Sequence, residues 1–148
     1  VIATEATSLA IAAAAVRMIG TPFVHRGRVP GIKLDCAGIV LCAHWAAEVE
    51  LPDCIGYGPL PRRSVLLREL EARATQLHRD DAGPGDIVLF EGRPNYPMHF
   101  GILLGQESFV HAHQAAGGTV QTRLTKAWAS RLHSVWCAVP TRDDGEVG

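Results

Sequence analysis

The sequence predicts an α+β domain in which helices come first and an antiparallel sheet follows. Apolar residues recur at helical spacing as far as about residue 50. From Pro84 onward, short apolar runs alternate with glycine-bearing turns, which is the pattern of strands joined by hairpins. No linker long enough to divide the chain separates the two halves, so 1–140 is read as one domain, and the polar 141–148 as a disordered tail.

Residues 4–19 predict the first helix, with Ile11, Ala15, Met18 and Ile19 on one face and Gly20 as its stop. Gly20-Thr21-Pro22 breaks the chain, and the stretch to Leu34, with Gly27, Pro30 and Gly31, reads as a loop. A second helix follows Asp35 and runs through Cys36, Ile39, Val40, Ala43 and Ala47 to about Glu50. The Asp35 carboxylate can accept from free N–H groups of its first turn. Residues 51–61, with three prolines and two glycines, are irregular, and a charged third helix spans roughly Arg63 to Leu77.

Pro84-Gly85-Asp86 is then a turn, followed by a strand from Ile87 to Phe90. Further strands are expected over 98–104, 108–112, 119–123 and 134–139, with one short helix within 125–132.

Composition sets the bounds. The chain has 148 residues, 47% of them hydrophobic and 20% charged, which suits a single globular core. A formal charge of −1 argues against a broad nucleic-acid surface, which needs Lys and Arg in excess on one face. The Ala-rich start lacks a basic leader and is interrupted by Glu5 and Arg17, so neither a signal peptide nor a membrane span is expected. Cysteines 36, 42, 54 and 137 form no C-x-x-C pair, and the histidines have no zinc-ligand spacing. Four reduced thiols and no bound metal follow as expectations.

Asp35-Cys36-Ala37-Gly38 is the first stretch able to carry chemistry. A thiol in the first turn of a helix faces unpaired N–H groups and the positive end of the macrodipole, both of which favour thiolate. The same N–H groups can stabilise an oxyanion, and Gly38 leaves room for a substrate backbone. A buried structural cysteine is the plainer reading of the same residues. His99 opens the strand Met98-His99-Phe100-Gly101-Ile102-Leu103-Leu104, sharing a face with Gly101 and Leu103. It is either a satisfied core histidine or a base facing a thiol on the packed helix.

A hairpin through Gly105 would set His111 beside His99, where it can bond the far ring nitrogen and fix the tautomer; His113 shares that face. His25, His44, His78 and His133 have no partner visible in sequence, and Cys42, Trp45, Trp128 and Trp136 read as packing residues.

Together these pieces resemble the NlpC/P60 family of papain-like cell-wall hydrolases. The matching segments, in family order, are Ile19-Gly20-Thr21-Pro22-Phe23, Leu34-Asp35-Cys36-Ala37-Gly38-Ile39-Val40, Pro84-Gly85-Asp86-Ile87-Val88-Leu89-Phe90, His99-Phe100-Gly101-Ile102 and Phe109-Val110-His111-Ala112. The resemblance implies a cysteine peptidase without a cofactor, its nucleophile helix packed on a small antiparallel sheet. It implies Cys36 as nucleophile, His99 as base and His111, rather than His113, as third polar residue. Asp35, Phe23, Gly38 and His25 would border the oxyanion and substrate.

The implied substrate is the stem peptide of bacterial peptidoglycan. More narrowly, the chain looks like stand-alone hydrolases encoded with phage tails and gene transfer agents. Those share the Gly-Thr-Pro-aromatic-x-His start, lack export signals and dock on tail-tip or baseplate hub proteins. Such a protein would be made in the bacterial cytoplasm and act on the wall from the tail tip.

The family commonly has Tyr where this chain has Phe23, and that hydroxyl is thought to help the oxyanion. Losing one oxyanion donor costs on the order of a hundred- to a thousandfold in rate. Two alternatives therefore stand beside the peptidase: a weak or inactive tail-tip adaptor on the same fold, and an amidase or acyltransferase with another substrate. Substrate choice would lie in loops 24–34, 52–62 and 91–98.

Overall fold

The structure is a computed structural model and describes residues 3–53, 65–93 and 96–140. In chain order it contains α1 (Ala3–Arg17), β1 (Arg28–Val29), β2 (Lys33–Leu34), α2 (Cys36–Ala46), α3 (Val65–Arg73) and β3 (Thr75–Leu77). A single 3-10 turn at Arg79–Asp81 leads into β4 (Ile87–Arg93), β5 (Tyr96–Leu103), β6 (Ser108–His113), β7 (Gly118–Arg123), α4 (Lys126–Ala129) and β8 (Leu132–Cys137).

Six strands form one antiparallel sheet in the order β3-β8-β4-β5-β6-β7. The α+β class read from the sequence is the architecture found. The central run β4-β5-β6-β7 consists of sequential neighbours, because short connections leave each strand nowhere to pair but beside its predecessor. Only β8 crosses back, pairing on the far side of β4.

Strand alternation gives the sheet two different faces. Ile87, Leu89, Phe100, Ile102, Val110, Ala112 and Trp136 pack against Ile11, Ala14, Ala15 and Met18 of the α1 region and most of α2. Val88, Phe90, Leu103, Phe109 and Val135 form a smaller cluster on the opposite face, covered by Ala82, Leu77, Leu124, Leu132 and Trp128. Gly85, at φ +87°, lets the turn before β4 lie on α1, where a Cβ would stand 2.2 Å from the Ser8 carbonyl oxygen.

Four expectations need correction. The 20–34 segment is not all loop: Arg28–Val29 and Lys33–Leu34 pair as a two-stranded hairpin around Pro30-Gly31. The third helix ends at Arg73, and Thr75–Leu77 is an edge strand on β8. The first helix ends at Arg17, so Ile19 leaves the apolar face and is exposed. The second helix ends at Ala46 rather than near Glu50, closed by a turn in which Glu48 has φ 63°. The expected tail and the start of the third helix lie outside the described residues. No helix is long and apolar enough to cross a membrane among the described residues.

Candidate active site

Cys36 is the first residue of α2 and Asp35 is its N-cap. Asp35 is buried and its carboxylate is fully engaged. Oδ1 accepts from the Gly38 N–H at 2.8 Å and from Arg28 Nη1 at 2.9 Å, while Oδ2 accepts from the Arg26 N–H at 2.8 Å. Arg28 also reaches Asp53, with Nε 3.2 Å from Oδ1. One carboxylate thus ties the β1–β2 hairpin to the start of the nucleophile helix.

Gly38 serves the same joint. A Cβ there would stand 2.2 Å from the Gly27 carbonyl oxygen. Its missing side chain makes room for the chain's own hairpin. Asp35 is likewise occupied as scaffold. Phe23 is half-buried against the main core and carries no donor, and His25 is exposed.

The Cys36 thiol is buried and receives backbone N–H groups from Ala37 and Phe100. The strand pattern explains the second. Leu103 exchanges its N–H and C=O with the turn before β4, whereas the Leu104 N–H goes to Ser108. Alternation then points the Phe100 N–H toward β6. The β5–β6 register begins only at Ile102↔Val110, so at Phe100 that N–H has no partner strand, and the sulfur takes its place.

Burial nevertheless pushes the Cys36 thiol up to about 12, and the Asp35 carboxylate adds to the rise. The two N–H groups and the Arg28 guanidinium pull downward without reversing it. The N–H donors that the helix start was expected to supply are present, and desolvation of the charged form works against them. Cys42 and Cys137 are also free thiols, and Cys54 lies outside the described residues.

His99 lies one residue from the N–H that meets the thiol, yet its ring belongs to the other face of the sheet. It packs with Phe90 and Trp128, at ring-centroid distances of 6.3 and 6.0 Å. Its Nε2 is hydrogen-bonded to His111 Nδ1 at 2.6 Å. His111 is fully buried, and its Nε2 bonds Thr122 Oγ1 at 2.8 Å. His113 stacks on His111 at 4.9 Å, without a hydrogen bond to His99 among the described residues. Cys36 and His99 are not hydrogen-bonded to each other.

Burial drives His99 well below the ordinary histidine range, and His111, His113 and Arg131 push the same way. His111 falls to about 3, mainly through burial. Both rings are neutral at pH 7.

Two further neighbours complete the site, one read from sequence as a packing residue and one missed. Trp128, on the four-residue α4, packs edge-on against His111 at 5.2 Å and carries the Arg131 guanidinium over its ring at 4.6 Å. Thr122 had no signal of its own; only the register Phe109↔Thr122 brings it to the face of His111. Among the described residues no cluster of His, Cys, Asp or Glu is arranged to hold a metal.

The sequence profile of the NlpC/P60 family matches residues 20–137, and the chain belongs to that family. The NlpC/P60 domain of the peptidoglycan hydrolase SagA is 25% identical, with a TM-score of 0.62, covering 88% of this chain and 97% of that one. An NLP/P60 family protein similar to a lipoprotein, from Staphylococcus aureus, is 20% identical with a TM-score of 0.70. The match covers 93% of this chain but 43% of that one, so this chain spans less than half of its length. The peptidoglycan hydrolase RipB from Mycobacterium tuberculosis is 16% identical with a TM-score of 0.69, covering 93% of this chain and 67% of that one. The last two likenesses concern fold alone. No curated protein sequence matches the chain.

Proposed function

We propose that this NlpC/P60 family member is a cysteine peptidase that cuts amide bonds in the stem peptides of bacterial peptidoglycan. Cys36 is its nucleophile, His99 its base and His111 the residue that orients the base. The observation that carries this reading is the seat of the thiol. Cys36 Sγ meets the N–H of Phe100 where the β5–β6 ladder stops, one residue along β5 from His99, whose Nε2 is already held by a second histidine. Nucleophile, base and orienter are the three parts that acyl transfer needs.

The resting pair is a neutral thiol and a neutral imidazole, so attack and proton transfer go together. As Sγ adds to the carbonyl carbon, the thiol proton passes to His99 Nδ1 around the open end of the ladder, where β5 has no paired β6 residue to separate the two faces. With the Gly38 N–H held by Asp35 and the Ala37 N–H at the thiol, the Cys36 N–H is the first-turn donor left for the developing oxyanion among the described residues. The C–N bond breaks, His99 returns the proton to the leaving amine, and a thioester remains on Cys36. Water activated by His99 hydrolyses it. Digestion of purified peptidoglycan by wild type and Cys36→Ala, followed by mass spectrometry, tests the reading. New stem-peptide ends that need Cys36 are expected; equal release by both proteins would defeat it.

We further read the protein as carried on a phage or gene-transfer-agent tail tip. The start Gly20-Thr21-Pro22-Phe23-Val24-His25 resembles such hydrolases. Its presence in purified particles, bound to a hub protein, is the expected result.

A second reading has its own observation. A buried, protonated thiol with no bond to His99, together with Phe23 in place of Tyr, favours a weak or inactive adaptor on the inherited fold. In that case Cys36 reacts with iodoacetamide no faster than Cys42 or Cys54. Selective labelling of Cys36 would count against it.

A further inference from the structure

We infer that Thr122 is a positioning residue for the same site: its hydroxyl oxygen accepts the His111 Nε2 proton and thereby sets the tautomer in which His99 can act as base. The inference rests on the peptidase reading. It begins from two short contacts in line, His99 Nε2 to His111 Nδ1 at 2.6 Å and His111 Nε2 to Thr122 Oγ1 at 2.8 Å.

A neutral imidazole carries one proton and offers one lone pair. The line can therefore be filled in only two ways. In the first, His99 Nε2–H donates to His111 Nδ1, and His111 Nε2–H donates to Thr122 Oγ1. The lone pair of His99 is then on Nδ1, ready for the thiol proton. In the second, the Thr122 hydroxyl donates to His111 Nε2, and His111 Nδ1–H donates to His99 Nε2. The proton of His99 is then on Nδ1, and the ring cannot take another there.

Only the first filling also survives catalysis. Once His99 has accepted the thiol proton, both its nitrogens are donors, so His111 Nδ1 must be an acceptor. His111 then holds its own proton on Nε2, inside a fully buried site, and Thr122 is the partner given to it. Thr122 has no other side-chain hydrogen bond among the described residues, and it is half-buried on β7. Its hydroxyl hydrogen can turn outward while the oxygen accepts.

Thr122→Val keeps the shape and strand preference of the side chain and removes the oxygen. An unpaired buried His111 Nε2–H is costly, so the ring shifts its proton to Nδ1 and forces the blocked filling. The test combines histidine 15N NMR of the labelled protein with peptidoglycan kinetics, on wild type, Thr122→Val and Thr122→Ser. Wild type and Thr122→Ser are expected to show His111 protonated on Nε2 and His99 unprotonated on Nδ1, with Thr122→Val reversing both.

The kcat of Thr122→Val is expected to fall roughly ten- to hundredfold with KM unchanged, and Thr122→Ser to restore it. The proposal is overturned if wild type already carries the His111 proton on Nδ1, if Thr122→Val leaves the tautomers unchanged, or if Ser is as impaired as Val. The NMR outcome does not depend on turnover. A wild type inactive on peptidoglycan would therefore count against the peptidase reading and leave the tautomer question decided by itself.

Discussion

The two faces of the sheet hold buried histidines in opposite ways. His44, inside α2 on the helix face, is completely buried; Nδ1 bonds the Val40 carbonyl oxygen at 2.7 Å, and Nε2 has no partner among the described residues. His111, on the other face, is just as buried but has a partner on each nitrogen. One ring fills space at the cost of an unmet polar atom. The other is a link in a chain of proton donors and acceptors. The difference separates scaffold from chemistry: around α2 the polar groups lock elements together, whereas along His99–His111–Thr122 they choose where a proton sits.

Changes on the helix face should therefore strike stability first. Gly38→Ala is expected to cost the most, roughly 3 kcal/mol or more, because its Cβ and the Gly27 carbonyl both belong to backbone that cannot move freely. Chemical denaturation of the variant checks this; a midpoint equal to wild type would show that the hairpin yields.

Acid should separate the two histidines next. His44 falls from 6.5 to about 4 in the folded state, chiefly through burial. Above pH 6.5 neither state is protonated there, so His44 contributes nothing to the pH dependence. As pH falls from 6.5 toward 4 the unfolded chain binds a proton that the folded chain refuses, and stability drops by about 3 kcal/mol. His99 and His111, also lowered, add in the same direction. His44→Leu should remove its share of this acid loss in pH-dependent denaturation while leaving the remainder intact. An unchanged pH dependence would mean that His44 does not titrate as described.

Asp35→Ala should cost about 2 kcal/mol, since it removes the helix cap and the partner of Arg28 together. It also removes the carboxylate that raises the Cys36 thiol. Asp35→Asn is expected to keep more of the stability and to lower the pH at which iodoacetamide labels Cys36; no shift in that profile would separate the carboxylate from the thiol.

The smallest effect belongs to the histidine face. Arg131 helps to lower His99, His111 and His113, but it is exposed and open to screening. Arg131→Gln should raise the His99 titration slightly at low salt, and the difference should vanish in high salt. A salt-independent shift would point to a packing change through Trp128 instead.

Much of this arrangement was legible in residue order. Pro84-Gly85-Asp86 and Gly105 mark turns by their own chemistry, and the hairpin through Gly105 brings His99 to His111 without further information. What escaped the reading depends on distant partners. Thr75-Gln76-Leu77 has no alternation to announce a strand and becomes one because β8 offers an edge. The residues of 28–34 carry loop chemistry at their centre, while their short pairing is supported by Arg28 and Asp35. The burial that opposes a thiolate at Cys36 could not be read, because helix-start donors are visible in sequence and desolvation is not. Thr122 was invisible for a similar reason: an ordinary strand threonine acquires meaning only once register sets it against a buried ring.

The most direct test of the central claim is acid-quenched mass analysis of the protein mixed with soluble stem-peptide fragments of peptidoglycan. An acyl adduct that maps to Cys36 in wild type, disappears in Cys36→Ser and forms far more slowly in His99→Ala is the expected result. Fragment cleavage that continues in Cys36→Ser, with no adduct on Cys36 in wild type, would contradict the account.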